Sequence, residues 1–172
     1  MNGVGVLKSK ADGVLAGIDV CLEVFRRVDP QIKAHTLLKD GAVFTDGRLV
    51  ARVEGNVSSI LRAERVALNF LQRMSGIATA TATYVKAVEG CKAQIVDTRK
   101  TVPGFRYLDK YAVRAGGGAN HRLNLVDGIL IKDNHIAAIR SRGVGLVEAV
   151  RLALKDAPHT AKVEVEVTNR EE

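Results

Sequence analysis

Ile95-Val96-Asp97-Thr98-Arg99-Lys100-Thr101-Val102-Pro103-Gly104-Phe105-Arg106 is the stretch that decides the architecture. It opens on apolar-rich residues at strand period, runs into two adjacent cations, and turns at once through Pro-Gly. A helical pattern then takes over, with Phe105, Leu108, Ala112 and Ala115 on one face. Strand, basic pair, turn and helix in that order read as a β/α unit with its cations at the strand's carboxyl end. A basic pair there is badly placed for core packing and well placed to hold an anion.

Working outward toward the C-terminus, the alternation continues. A strand is expected over 94–98, a helix over 105–115, a strand over 126–132, a helix over 146–157 (Leu146, Val147, Val150 and Leu154 on one face), and a strand over 162–167. Such an order implies parallel pairing with crossover helices. The unit is either an open doubly wound sheet or a barrel; three strands do not close a barrel, and the chain runs only a few residues past the third, so the unit is expected to be cut short.

Toward the N-terminus the pattern is different. Residues 1–10 show no periodicity and are expected to be frayed; 13–18 reads as a strand, and Asp19 as the cap of a helix with Cys21, Val24, Phe25 and Val28 on one face. Strands are expected over 32–38 and 49–53, with turns at Asp40-Gly41 and Asp46-Gly47. Asn56 or Ser58 then starts a long helical stretch whose core stripe is Ile60, Leu61, Leu68, Leu71 and Met74, with an expected break at Ser75-Gly76 and continuation over 77–88. The fold class is α/β: a small α+β part followed by three alternating strand and helix units.

At 172 residues, 47% hydrophobic and 26% charged, the composition is that of an ordinary globular chain. No run approaches the ~20 apolar residues that span a bilayer, and there is no signal-peptide pattern, so the expectation is a cytoplasmic protein with no membrane partner. Cys21 and Cys91 have no metal-ligand spacing and read as small buried apolar residues. The net charge of +7 is concentrated: between Arg99 and Arg142 nine Lys/Arg face three Asp, a net of +6 within 44 residues. A cationic stretch with few aromatic stacking platforms favours small anionic substrates over nucleic acid.

The candidate site residues follow from what each strand end presents, because ligands of parallel α/β folds sit at the carboxyl ends. The first offers Thr98, Arg99 and Lys100; the second offers Lys132, Asp133, Asn134 and His135; the third carries Glu164 and Glu166 on one face, able to hold a hard cation such as Mg²⁺. Lys132 follows an apolar strand, so its ammonium must be paired or desolvated. Gly116-Gly117-Gly118 leads into His121-Arg122; it precedes a strand and so lacks the context of a dinucleotide fingerprint, and is expected to turn sharply or to lie against a ligand. Glu64 and Arg65 sit on an apolar helix, where a surface pair is the ordinary reading.

Taken together, Ala63-Glu64-Arg65-Val66-Ala67-Leu68-Asn69, Ser75-Gly76-Ile77-Ala78-Thr79, Thr98-Arg99-Lys100-Thr101-Val102-Pro103-Gly104-Phe105-Arg106, Gly117-Gly118-Ala119-Asn120-His121-Arg122, Ile131-Lys132-Asp133-Asn134-His135 and Lys162-Val163-Glu164-Val165-Glu166 resemble the quinolinate phosphoribosyltransferase family, the carboxylating nicotinate-nucleotide pyrophosphorylases. The resemblance covers essentially the whole chain and implies a small α+β sandwich part over 1–77, carrying a dimer-forming helix, followed by the first three β/α units of an incomplete parallel barrel, a partial α/β barrel over 78–172. It implies phosphoribosyl transfer from 5-phosphoribosyl 1-diphosphate to quinolinate with decarboxylation, giving nicotinate mononucleotide, diphosphate and CO₂, with Mg²⁺. It implies that Arg99, Lys100, His121, Arg122 and Lys132 line the quinolinate pocket, that Lys100, Lys132 and Glu166 are catalytic, and that Glu166 lies near the metal. Arg65 matches an arginine that enters the partner subunit's site, so a homodimer is implied.

Family chains begin before and continue beyond this sequence, so a fragment of the enzyme is expected. Two other readings stand beside it: a related phosphoribosyltransferase for another heterocyclic acid, and an inactive anion-binding fragment.

Overall fold

The computed structural model describes residues 1–170; positions 171 and 172, the last of the expected barrel part, lie outside the described residues. The fold is mixed α/β, in the class the sequence implies. By compactness the chain divides into a first unit, Met1–His121, and a second that starts at Arg122.

In the first unit β1 (Asn2–Lys8) occupies the segment expected to fray. Its inward side is Gly3, Gly5 and Leu7, while Val4 and Val6 face out, so the hydrophobic alternation that marks a strand stands on the wrong face. The glycines are there for room: a Cβ on Gly3 would lie 2.7 Å from Val57 Cγ2. β2 (Gly13–Val14) is far shorter than the expected strand, because the chain turns into α1 (Ile18–Val28). The cap of α1 is not Asp19. Asp40, from a distant turn, accepts the Gly17 and Ile18 amides at 2.8 and 3.0 Å.

β3 (Lys33–Thr36), β4 (Val43–Phe44) and β5 (Leu49–Asn56) complete the small sheets; β5 pairs antiparallel with both β1 and β3, and β2 pairs with β4. α2 (Val57–Ala87) starts where Asn56 accepts the Ser58 and Ser59 amides. It runs unbroken through Ser75-Gly76, where a break was expected, and also spans the 77/78 boundary. Continuity costs little there because Ser75 Oγ and Thr79 Oγ1 serve the β2 segment, accepting the Ala16 and Val14 amides. Ile60, Leu71 and Met74 of the expected stripe are buried, whereas Leu61 is 63% exposed. The core lies between α1, α2 and β5, with Phe25, Leu15, Leu22, Met74 and Val53 fully enclosed.

The expected strand over 94–98 is reduced to a parallel bridge between Val96 and Ala119. α3 (Arg106–Ala115) follows the turn as expected. The triple glycine then packs against α2: a Cβ on Gly116 would lie 2.3 Å from the Ala78 carbonyl oxygen, and one on Gly118 would lie 2.8 Å from Thr81 Cγ2. Close helix contact accounts for Gly116 and Gly118, and Gly117, at φ 86°, makes the sharp turn that was expected.

In the second unit β6 (Gly128–Ile131) pairs in parallel with β7 (Lys162–Val165), as the β/α reading requires. Between them lie α4 (Asp133–Arg140), which was not anticipated, and α5 (Leu146–Asp156), none of whose residues is buried. Among the described residues no helix is long and apolar enough to cross a membrane.

Candidate active site

The basic pair sits on a segment fixed at both ends. Thr98 Oγ1 accepts the Lys100 amide at 3.0 Å, the Thr101 amide bonds back to the Arg99 carbonyl at 2.9 Å, and the Pro-Gly turn closes with Phe105 N–H to Val102 C=O at 3.0 Å. Downstream, Phe105 stacks on Phe70 of α2 with ring centroids 5.7 Å apart, and the Arg73 guanidinium lies 5.4 Å from the same ring. Arg73 also grips Asp109 of α3 bidentately, at 3.0 and 2.8 Å. That hydrogen-bonded pair raises the Arg73 pKa, against a smaller desolvation effect. Neither Arg73 nor Phe70 carried a sequence signal, because their partners lie far along the chain.

Between these anchors Lys100 is exposed, and Arg99 has a buried Nε with no hydrogen-bond partner among the described residues. An unpartnered buried guanidinium nitrogen is a costly arrangement unless an acceptor arrives from outside.

Upstream, Asp97 is the hub that the sequence reading passed over. Its carboxylate takes the Lys110 ammonium in a buried ion pair and accepts Asn120 Nδ2 at 2.6 Å and the His121 amide at 2.8 Å. Lys110 is therefore neutralised in the interior, although it counted among the cations of the basic stretch. Its only advance signal was its place in a helix with Asp97 thirteen residues earlier, and one chain alone does not show that pairing.

In the second unit Arg122 donates from its guanidinium to the Gly128 carbonyl at 3.1 Å, at the start of β6. Lys132 ends β6 and pairs with Glu166, just past β7, at 2.9 Å, so the ammonium is paired as its position demands. Both side chains are well exposed, at 39% and 56%, which leaves the pair open to exchange with a ligand. The Glu166 amide bonds to the Ile131 carbonyl at 2.8 Å, bringing the two strand ends level. His135 is spent locally: its Nδ1 accepts the Lys132 amide at 3.0 Å and closes the first turn of α4. Among the described residues no group of three His, Cys, Asp or Glu could hold a metal ion by itself.

Arg65 lies exposed on α2, at the rim of a cavity of about 900 Å³ in the first unit, lined by Leu7, Leu15, Phe44, Glu64 and Leu68 among others. It forms no ion pair with Glu64, its neighbour in sequence, contrary to the surface-pair reading. Cys21 is fully buried, and desolvation pushes its thiol up to about 12; Cys91 is exposed, which corrects the expectation that both are buried.

Two family models divide the chain between them, the quinolinate phosphoribosyl transferase N-terminal domain over residues 1–75 and its C-terminal domain over 77–172. The chain belongs to the quinolinate phosphoribosyltransferase family.

It is 44% identical over 164 residues to the probable nicotinate-nucleotide pyrophosphorylase [carboxylating] of Bacillus subtilis, covering 95% of this chain and 55% of that protein. With the nicotinate-nucleotide pyrophosphorylase [carboxylating] of Mycobacterium leprae it shares 46% identity over 170 residues, 98% of this chain and 58% of the other. The crystal structure of NadC from Streptococcus pyogenes superimposes with a TM-score of 0.89 at 46% identity, over 98% of this chain and 58% of that one. The chain thus spans a little over half the length of those relatives.

Proposed function

We propose that the chain carries the dicarboxylate-recognising part of a quinolinate phosphoribosyltransferase, which joins quinolinate to 5-phosphoribosyl 1-diphosphate and releases diphosphate and CO₂ to leave nicotinate mononucleotide. The observation that carries this is Arg99, whose buried Nε has no partner among the described residues and stands beside exposed Lys100 on a segment anchored by Phe105 and Asp97. Guanidinium forks bind carboxylates bidentately and Lys adds a point charge, so a dianionic heterocycle suits the pair. The names carried by relatives at 44 and 46% identity support the same reading.

In this reading Arg99, Lys100, His121, Arg122 and Lys132 hold the two carboxylates, with Lys100 and Lys132 the catalytic cations. They orient the pyridine nitrogen so that its lone pair forms the bond to ribose C1 as the bond to diphosphate breaks. The ring becomes a pyridinium, the C2 carboxylate then leaves as CO₂, and the electron pair left at C2 is stabilised by the ring cation before it takes a proton. The side chains position and neutralise, and form no covalent bond with substrate.

Glu166 is the one carboxylate we assign to Mg²⁺. A single protein carboxylate fits an ion that takes most of its ligands from water and phosphate oxygens. Mg²⁺ bound there would supply charge neutralisation of the diphosphate. The functional unit is a homodimer in which Arg65, exposed and outside any ion pair with Glu64, reaches the partner's site, and its location is cytoplasmic, in keeping with two cysteines that form no disulfide.

Calorimetric titration with pyridine-2,3-dicarboxylate tests the reading. Binding by the parent chain, lost in Arg99→Ala and stronger than binding of pyridine-3-carboxylate, is the expected result; preference for the monocarboxylate, or affinity unchanged in Arg99→Ala, overturns it. Product formed on adding 5-phosphoribosyl 1-diphosphate and Mg²⁺ separates an active chain from one that only binds.

A further inference from the structure

We propose that Asp97, with Lys110 and Asn120, is a positioning set that holds the His121 backbone in register with the Arg99-Lys100 strand end. The proposal rests on the function above for the ligand it serves, a pyridine dicarboxylate, but its geometry stands within the first unit alone.

The ion pair at the centre of the network is enclosed, and Asn120 closes its exposed edge. The Asp97 and Lys110 side chains are 8% and 5% exposed. Asp97 Oδ1 accepts the His121 amide at 2.8 Å, while Lys110 Nζ donates to the His121 carbonyl at 3.3 Å, so the peptide groups on both sides of this residue are held. Asn120 Nδ2 ties the remaining corners together, donating to Asp97 Oδ2 at 2.6 Å and to the Lys110 carbonyl at 2.8 Å. Two backbone bonds run alongside, Asp97 N–H to Ala119 C=O at 3.1 Å and Ala119 N–H to Ile95 C=O at 2.9 Å.

General stability does not explain such a network. A buried ion pair often contributes no more than well-packed apolar side chains of the same volume, because desolvation offsets most of the Coulomb gain. What apolar residues could not do is fix a peptide group in direction as well as position. The carboxylate does so only three residues before Lys100, and with the ammonium it adds no net charge. The uncancelled cations nearby, Arg99 and Lys100, are left for a dianion.

Two variants are needed, since Asp97→Asn leaves the Lys110 charge buried and unpaired and can unfold the chain, whereas Asn120→Ala keeps the ion pair. Amide hydrogen exchange of the full chain is the first readout: the His121 amide should exchange at least about tenfold faster in folded Asn120→Ala, with amides of Leu49–Asn56 unchanged. Calorimetry is the second: the Kd for pyridine-2,3-dicarboxylate should rise about tenfold while that for 5-phosphoribosyl 1-diphosphate stays within twofold. A purely structural role would weaken both ligands in the same ratio. Equal weakening, dicarboxylate affinity within twofold of the parent, or unaltered His121 exchange overturns the proposal. If the parent takes up no dicarboxylate, the proposed function falls and the exchange readout alone decides for or against the clamp.

Discussion

Gly116→Ala separates two readings of the triple glycine, one in which it makes room for a ligand and one in which it makes room for α2. At Gly116 the backbone has φ −81° and ψ 4°, angles that alanine adopts freely, so the substitution adds no torsional strain. The added Cβ would lie 2.3 Å from the Ala78 carbonyl oxygen, 2.8 Å from Thr81 Cβ and 3.0 Å from the Ala78 carbonyl carbon. Ordinary contact begins near 3.4 Å, so the chain must retreat by about 1 Å from obstacles that are mostly helix backbone. Overpacking of this kind costs about 1–3 kcal/mol, and because α2 cannot yield as a side chain would, the upper part of that range applies.

The lower entropy of the unfolded alanine chain returns about 0.4–1 kcal/mol, leaving a net loss of roughly 2 kcal/mol. For a chain of this size that lowers Tm by about 4–8 °C. Gly76→Ala is the control: Gly76 lies inside α2, is exposed and has nothing within 4 Å, so alanine there should stabilise by about 0.5–1 kcal/mol. Urea unfolding followed by circular dichroism, at fixed protein concentration, measures both. A Gly116→Ala chain as stable as the parent, with dicarboxylate binding lost instead, would refute helix packing and restore the ligand reading.

Two further outcomes follow from buried and hydrogen-bonded protons. Cys91 is exposed and should react with a thiol reagent in the folded chain, whereas Cys21, enclosed and with its thiol raised to about 12, should react only after unfolding, giving one equivalent and then two. Tyr111 donates to Asp40 at 2.7 Å, and that bond, helped by desolvation and the Asp40 charge, lifts the phenol from 10.0 to about 12. A raised folded pKa means the stability Tyr111 lends is complete below pH ~10 and is lost as pH climbs to ~12. Urea midpoints measured from pH 8 to 12 should therefore fall less steeply in Tyr111→Phe than in the parent, the two converging at the alkaline end; parallel curves would remove the Asp40 bond from the explanation.

What could be read in advance depended on whether the governing contact was local. Helical faces in α1, α2 and α3 and the cap at Asn56 are local, and their periodicity gave them away. β1 was hidden because α2 and β5 crowd its inner face at Gly3 and Gly5, and glycine there erases the alternation that marks a strand. α4 was hidden because Lys132-Asp133-Asn134-His135 reads as a strand end offering polar groups, whereas His135 spends its ring on the Lys132 amide. The α1 cap reaches 23 residues from Gly17 to Asp40 and the Asp40–Tyr111 bond reaches 71, distances over which one sequence carries no pairing signal. Arg99 and Lys100 were legible because two cations at the end of an apolar strand are conspicuous, and Asp97 was not because a lone acid inside that strand is easily counted as part of it.

Charge shows the same distinction in physical terms. A net of +6 between Arg99 and Arg142 treats every cation in the window alike, yet two of the nine are cancelled by carboxylates outside it, Lys110 by Asp97 and Lys132 by Glu166. Conversely, Asp109 offsets nothing in the window, because Arg73 has taken it from α2. The field available to a ligand is set by which charges lack partners, and by what removing a partner would cost. Lys110 is enclosed, so parting it from Asp97 would strand a buried charge at about 3–5 kcal/mol and no ligand is offered it. Lys132 is half-exposed, and an exposed pair is worth at most about 1 kcal/mol, so an incoming carboxylate can displace Glu166 cheaply and free it for a cation. The two lysine pairs look equivalent as charges in a sequence, and burial alone makes one a fixed strut and the other an exchangeable contact.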